Sequence, residues 1–146
     1  MQEQSRTISL LEAVKKFVQQ YPDIAELDLH YDQTEAEPVN YSIQTSGLVK
    51  LSEDILGNQT WQYNALLQSR EYTADDISRL NASEFSENFI WWVEYQNMTH
   101  NFPDLDSGLK PTKISADNGM LLALDDDGDR GIYQIQLHLT FNKTLI

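Results

Sequence analysis

The chain contains no cysteine and only a few prolines and glycines among its 146 residues. Without thiols it has no disulfide framework, no thiolate metal ligand and no cysteine nucleophile. No apolar run approaches the roughly 20 residues that span a membrane, and the first ten residues lack the apolar core of a secretion signal. These absences predict a soluble protein that is not exported and does not bind membranes.

Basic residues are also scarce. The chain has 10 of them against 23 acidic residues, which gives a formal net charge of −13. Because phosphate groups attract cations and repel carboxylates, this balance argues against tight binding of nucleic acid or anionic lipid. Hydrophobic residues make up 40% of the chain, enough for a folded core, and the length suits a single domain over residues 1–146.

Helical periodicity first appears near the N-terminus. Apolar residues spaced by four, three and four positions predict an amphipathic helix over about residues 7–21. Ser9 or Thr7 can cap its first turn, and Pro22 cannot continue it.

A second helical region follows the middle of the chain. A cap and a short helical turn are expected over residues 73–80, and Asn81 then caps a longer helix that ends near Asn97. Phe89 and Trp92 lie on its apolar stripe. This helix carries the largest aromatic content of the chain.

Alternation of apolar and polar residues predicts the strands. Residues 27–32 and 39–45 are joined by a short polar link, so we expect them to form an antiparallel hairpin whose second strand ends at Gly47. A long third strand runs from Trp61 towards Tyr72, with a bulge where the alternation relaxes.

The clearest alternation extends from Ile132 to Asn142. Its expected partner covers residues 114–124, and Asp127 and Gly128 suit the turn between them. The order helix, three strands, helix, two strands predicts an α+β fold. We expect a mostly antiparallel sheet with two main helices packed on one face.

The acidic run from Asp125 to Asp129 is the most site-like segment, because hard cations such as calcium prefer carboxylate ligands. Its contiguous acids do not have the alternating spacing of a calcium-binding loop, and charged turns are common. We therefore interpret it as a solvated turn.

The histidines give no stronger indication of chemistry. His30, His100 and His138 lack the close spacing of zinc ligands, although His30 and His138 both lie on the polar phase of strands and would meet if those strands were neighbours. No nucleophile-elbow or phosphate-loop motif occurs. The sequence predicts no catalytic, cofactor or metal site, and hence no enzyme.

Two apolar features are candidates for subunit contacts. Trp91 lies about 100° round the helix from Trp92, so it is either an exposed anchor or a cover for a sheet edge. The second feature is either an edge strand with its turn or an apolar arm between subunits. It consists of Leu48, Val49, Leu51, Ile55 and Leu56.

Two segments carry a family resemblance. Residues 61–97 read WQYNALLQSREYTADDISRLNASEFSENFIWWVEYQN, and residues 131–143 read GIYQIQLHLTFNK. In these features and in the order of its elements, the chain resembles the tail terminator proteins, also called minor capsid proteins, of siphophages and prophages of Gram-positive bacteria. The resemblance extends over roughly residues 7–143.

The resemblance implies a structural virion protein that forms a homo-hexameric ring. Such a ring caps the tail tube, fixes tail length and offers the head-tail joining surface to a connector or stopper protein. The protein would be assembled in the cytoplasm of the bacterial host and would end in the virion tail. DNA would pass through the acidic lumen without specific binding.

Two alternatives remain open at this point. One is another head-tail connector component, such as a stopper or head-completion protein, or a tail tube subunit. The other is a host-type adaptor protein or a small enzyme, which would remain a monomer or dimer and would show a pocket lined by convergent polar groups.

Overall fold

The computed structural model describes residues 9–25, 29–31, 40–72, 76–124 and 130–144. Its elements in chain order are α1 (Leu10–Val18), α2 (Pro22–Ala25), β1 (Leu29–Tyr31), β2 (Asn40–Glu53), β3 (Gln59–Tyr72), α3 (Asp76–Met98), β4 (Leu109–Leu124) and β5 (Arg130–Lys143). The predicted α+β class is confirmed, with the main helices and strands in the expected order.

The first helix begins where its sequence predicts. Ser9 is the N-cap, and its hydroxyl accepts a hydrogen bond from the backbone N–H of Glu12 over 3.0 Å. The helix ends at Val18, earlier than predicted. The chain then forms one further turn of helix that starts with Pro22, a residue suited to the first helical position because its missing N–H has no helical partner there.

In the described ranges the sheet has five strands, in the order β1-β2-β3-β5-β4. Strands β2, β3, β5 and β4 pair in antiparallel fashion, whereas β1 runs parallel to β2 with Leu29 opposite Tyr41. The predicted antiparallel hairpin between the first two strands is therefore wrong. Alternation shows which face a side chain occupies but carries no information on strand direction.

One face of the sheet forms the core with α1 and α3, as predicted. Phe17 of α1 and Phe89 of α3 are each no more than 1% exposed and pack over the alternate residues of β3 and β5. Trp92 also packs on this core, with its ring 5.1 Å from that of Phe17. The fully buried side chains of the sheet include Ile43, Leu67, Ile114, Ile135, Leu137 and Leu139.

The aromatic helix is continuous from Asp76 to Met98, so the predicted break before Asn81 is wrong. Its end near Asn97 is confirmed. His100 adopts φ 60°, and the N–H of Asn101 donates to the carbonyl of Gln96 over 2.9 Å. This left-handed conformation is a common C-terminal cap of helices, and here histidine takes the place of the usual glycine.

The β2 strand does not end at Gly47 but continues to Glu53. It contains two bulges, between Thr45 and Leu48 and between Lys50 and Ser52, while β3 pairs with β5 without interruption. The bulge predicted in the third strand is thus wrong in its placement. Gly47 has φ 118°, a value that glycine adopts readily, so it carries the chain through the first bulge.

The β4 strand begins at Leu109, earlier than the predicted start at residue 114. It includes Pro111, which is compatible with its position at the edge of the sheet, where a missing N–H costs no ladder hydrogen bond. In the described part of the chain, no helix is both long and apolar enough to cross a membrane.

Candidate functional site

The turn between β2 and β3 lies at one end of the sheet. We call residues 48–60 the arm, and residues 54–58 its tip. Strand pairing continues to Glu53 opposite Gln59, and Gln59 is itself opposite Lys143 of β5, so only the tip lies beyond the paired strands. From Gln44 onwards, the outer edge of β2 has no strand partner among the described residues. Such an edge is available for contacts with another chain.

All five apolar residues predicted from the sequence lie exposed on this arm. Ile55 is 100% exposed and Leu56 is 79% exposed, both at the tip, while Leu48, Val49 and Leu51 are each about half exposed. Single exposed apolar residues are common on protein surfaces. Five of them fall between residues 48 and 56, a local concentration of exposed apolar side chains of the kind found at interaction sites.

The tip is ordered by one carboxylate. Oδ1 of Asp54 accepts hydrogen bonds from the backbone N–H groups of Leu56 and Asn58, both over 2.9 Å, and Oδ2 accepts one from the side-chain amide of Asn58 over 3.1 Å. The backbone N–H of Asp54 donates in turn to the carbonyl of Asn58. Ile55 and Leu56 are therefore presented by a closed turn.

Hydrogen bonds and charge lower two carboxyl pKa values on the arm. The backbone N–H of Asn58 is the largest cause that lowers the pKa of Asp54. The Lys50 ammonium lies 2.7 Å from Glu53 Oε1 and lowers the pKa of Glu53 through a hydrogen bond and its charge. Both carboxylates are exposed, so the surface of the arm is charged as well as apolar.

An apolar cleft of about 190 Å³ opens at the root of the arm. It lies where the core layer of the sheet ends beside the first residue of α1. Trp61 forms part of the wall, with its indole N–H donating to Oε1 of Gln59 over 2.8 Å. The complete lining is Leu10, Leu48, Trp61, Leu109, Phe141 and Lys143.

A second apolar patch lies on the outer face of α3. Trp91 is 64% exposed, and Tyr95 and Met98 follow it at helical spacing with similar exposure. Glu87 and Glu94 flank this stripe on the same exposed side of the helix. Trp91 was predicted from the sequence, but Tyr95 and Met98 were missed, although they follow Trp91 by four and seven positions, which was a usable signal.

The sheet face opposite the helices is mainly polar. Its side chains are mostly amides and hydroxyls that pair across strands, as Gln68 with Gln134 over 3.2 Å and Thr60 with Asn142 over 3.0 Å. This pattern follows directly from the alternation in β3 and β5. The face suits polar contacts, and its described side chains include the contact between His138 and Asp117.

The histidines do not come together. His30 lies on β1, opposite Ser42, and His138 lies on β5, with β2 and β3 between them. The two ring nitrogens of His138 lie near oxygen atoms, Nδ1 at 2.6 Å from Asn64 Oδ1 and Nε2 at 3.3 Å from Asp117 Oδ2. His100 ends α3 and stacks on Phe102.

The side chains that could bind a metal ion are not clustered in the described residues. Over the ranges that the structure describes, no three His, Asp or Glu side chains form a group able to hold a metal ion. The acidic run from Asp125 to Asp129 lies outside the described residues. The arm, its root cleft and the α3 patch are the exposed apolar features described above.

Two comparisons with known sequences identified no relative of this chain. A scan against protein-family models found no match, and a search of curated proteins found no significantly similar sequence.

Proposed function

We propose that this protein is a structural subunit of a phage tail, a tail terminator that forms a ring on the end of the tail tube. The observation that carries the proposal is the arm, whose tip residues Ile55 and Leu56 are fully or largely exposed. Burial of apolar surface is favourable by roughly 25 cal/mol per Å². A closed turn that exposes such residues to solvent gains this energy by contact with another chain.

The distribution of surface features supports a subunit with several neighbours. The arm, the α3 patch around Trp91 and the polar sheet face lie on different parts of the domain. A ring subunit that caps a tube contacts its two ring neighbours, the tube below and a connector above. Rings arise when one patch meets a different patch on the next copy, so distinct surfaces are expected.

The net charge also suits this role. A ring of six copies carries roughly −80 charges at the −13 of each chain. Because contacts with phosphates are what hold DNA to proteins, an acidic lumen lets DNA pass without binding. In this proposal the protein fixes tail length, offers the head-tail joining surface to a connector or stopper protein, and catalyses no reaction.

The test is the mass of the purified protein by light scattering, alone and with tail tubes of the same phage, followed by imaging of the tube ends. We expect one closed ring, either free or only at the tube ends. Open-ended stacks would indicate a tube subunit instead. A monomer that ignores tubes would contradict the proposal.

A matched pair of variants connects this test to the arm. Ile55→Ser with Leu56→Ser removes the apolar tip, and we expect it to abolish ring formation while leaving the fold intact. The control is Lys110→Ser with Thr112→Ser, two exposed positions on β4, which forms the opposite edge of the sheet from β2. Equal loss of rings in both double variants would show that the arm is not the decisive contact.

A further inference from the structure

The α3 patch lies on the outward face of a helix whose opposite face is buried. Phe89 and Val93 are fully buried in the core, whereas Trp91, Tyr95 and Met98 are between 61% and 69% exposed. Among the large exposed hydrophobic residues that the structure describes, the two aromatic ones are both in this patch. Tryptophan and tyrosine often anchor protein interfaces, and methionine is enriched there. The patch therefore has the composition of an interface centre.

Carboxylates surround the patch. Glu84, Glu87 and Glu94 are exposed, and their spacing of three, four or seven positions from Trp91 places them on the same face of the helix. The chain has no lysine or arginine from residue 80 to residue 109. Within the described ranges, none of these three carboxylates forms an ion pair. The rim of the patch thus carries negative charge that the described part of the chain does not neutralise.

The direction of α3 adds to this charge. The patch occupies the C-terminal half of the helix, and the carbonyl groups at a helix C-terminus carry a partial negative charge. A basic residue in the last turn usually complements that end, but α3 has none there. A cation beside the patch would therefore be stabilised by the helix end as well as by the carboxylates.

We propose that the α3 patch is the docking surface for an arginine-bearing segment of another protein. A guanidinium group stacks on the ring of Trp91 or Tyr95 and donates hydrogen bonds to Glu87 or Glu94. Residues three or four positions apart on a helix have Cβ atoms about 5–6 Å apart, so one arginine reaches both a ring and a carboxylate. Arginine suits this combination better than lysine because its charged group is planar and donates in a fork.

This inference goes beyond the proposed function and does not depend on the ring. A second copy of the chain is a poorer occupant of the patch. Two α3 helices packed in parallel would place each glutamate beside its counterpart, and an antiparallel pair centred on Trp91 would bring Glu87 of one copy near Glu94 of the other. Like charges at an interface oppose association, and each copy also carries a net charge of −13.

The arm is a poorer site for a basic segment, although it also combines apolar residues with carboxylates. Lys50 Nζ lies 2.7 Å from Glu53 Oε1, so that charge already has a partner. The carboxylate of Asp54 accepts hydrogen bonds from Leu56 and Asn58. A cation at the arm would have to compete with these contacts. The arm therefore serves as an internal comparison for the α3 patch.

Binding of a synthetic peptide tests the chemistry of the partner. The probe is a fluorescein-labelled peptide in which arginine recurs among alanine and leucine, and the comparison peptide has glutamine in place of every arginine. Fluorescence anisotropy measures the affinity of the purified protein for each. We expect the arginine peptide to bind about tenfold more tightly, because only arginine supplies both the cation and the forked donor.

Matched substitutions separate the patch from the general acidity of the chain. Trp91→Leu keeps apolar area but removes the aromatic ring, and we expect about tenfold weaker binding of the arginine peptide. Trp91→Phe keeps a ring and should retain most of the affinity. Glu94→Gln should weaken binding about fivefold, whereas Asp104→Asn, an exposed position beside α1, should change it less than about twofold.

Backbone amide shifts locate the bound peptide. We expect the arginine peptide to change the shifts of Trp91, Tyr95 and Met98 and to leave those of Ile55 and Leu56 unchanged. Changes at the arm tip without changes on α3 would overturn the inference.

Three further results would overturn it. Equal affinity for the two peptides would mean that the patch acts through apolar contact alone. Equal losses in Glu94→Gln and Asp104→Asn would mean that net charge attracts the peptide. Loss of rings in Trp91→Leu without loss of peptide binding would mean that the patch is a contact between copies.

The same variants separate this inference from the proposed function. Rings that form normally in Trp91→Leu, together with weaker peptide binding, would support the inference. A chain that binds the arginine peptide as expected but stays monomeric with and without tubes would also support it, while contradicting the proposed function.

Discussion

The side-chain Oδ1 atom of Asn97 accepts a hydrogen bond from the backbone N–H of Ile114 over 2.9 Å. Asn97 lies in the last turn of α3, and Ile114 is fully buried on the edge strand β4. Since this N–H does not enter the ladder with β5, the asparagine supplies the partner that a further strand would otherwise give. The end of α3 therefore protects part of the β4 edge.

Asn97→Ala is expected to lower the free energy of unfolding by about 1–3 kcal/mol, because it leaves a buried N–H without an acceptor. Urea denaturation measures this loss. Asn97→Asp keeps a side-chain oxygen at the same position and serves as the control, with a smaller loss expected. If alanine is tolerated as well as aspartate, the hydrogen bond does not stabilise the edge.

Phe89→Ala should destabilise the fold strongly. The ring is fully buried and packs against Tyr21 and Trp92, with centroids 5.2 and 5.7 Å away. Large-to-small substitutions of buried phenylalanine cost about 3–5 kcal/mol through lost burial and the cavity that remains. Thermal unfolding followed by near-ultraviolet circular dichroism reports both the loss of stability and the loosened aromatic packing.

The control for this prediction is Trp91→Ala on the same helix. Trp91 is 64% exposed, so its removal should change stability by no more than about 0.5 kcal/mol. A destabilisation comparable to that of Phe89→Ala would mean that Trp91 belongs to the core of the monomer. It would then be unavailable as an anchor for a neighbouring chain.

Much of the fold follows from periodicity. The alternation of β5 and the stripe of α1 were sufficient to assign their faces, because burial on one side imposes those periods. The same reasoning separated Trp92, which packs on the core, from Trp91, which does not. For the five apolar residues of the arm it left two interpretations open, an edge strand with its turn or an arm between subunits, and the structure places them on β2 and the turn that follows it.

Other features have no local signal. The parallel direction of β1 depends on how the chain returns to Tyr41, and alternation is the same in either direction. Gly47 was predicted to end β2, but glycine occurs both at turns that end a strand and at bulges that the strand passes through. The root cleft combines α1, β2, β3, β4 and β5, so no single stretch of sequence contains it.

Acidification should disorder the arm tip only at low pH. The carboxylate of Asp54 is stabilised by its hydrogen bonds to Asn58 and Leu56, and its pKa is lowered in the folded protein. This contribution is fully present above the ordinary carboxyl pKa of about 4 and is lost as pH falls through the lowered value. Backbone amide shifts of Asn58 in an NMR titration should therefore stay constant from pH 8 to 5.

Asp54→Asn is the control for this titration, because its amide oxygen accepts hydrogen bonds but does not ionise. In that variant we expect the transition of the Asn58 amide below pH 4 to disappear. A midpoint at or above the ordinary carboxyl pKa in the unsubstituted protein would show that the hydrogen bonds to Asp54 do not order the tip.

Gly47→Val tests whether the first bulge sets the position of the arm. A Cβ atom at residue 47 would meet no neighbouring atom within 4 Å, so we expect the cost to come from the φ of 118°, which is strained for a branched residue. We expect a loss of about 1–3 kcal/mol in unfolding free energy.

Ser46→Ala, in the same bulge, is the control and should change stability by less than about 0.5 kcal/mol. A valine variant as stable as the parent, with unchanged amide shifts at Leu48 and Val49, would contradict the need for glycine. If the strand instead removes the bulge, the arm slips by one residue and its side chains exchange faces, which the same shifts would reveal.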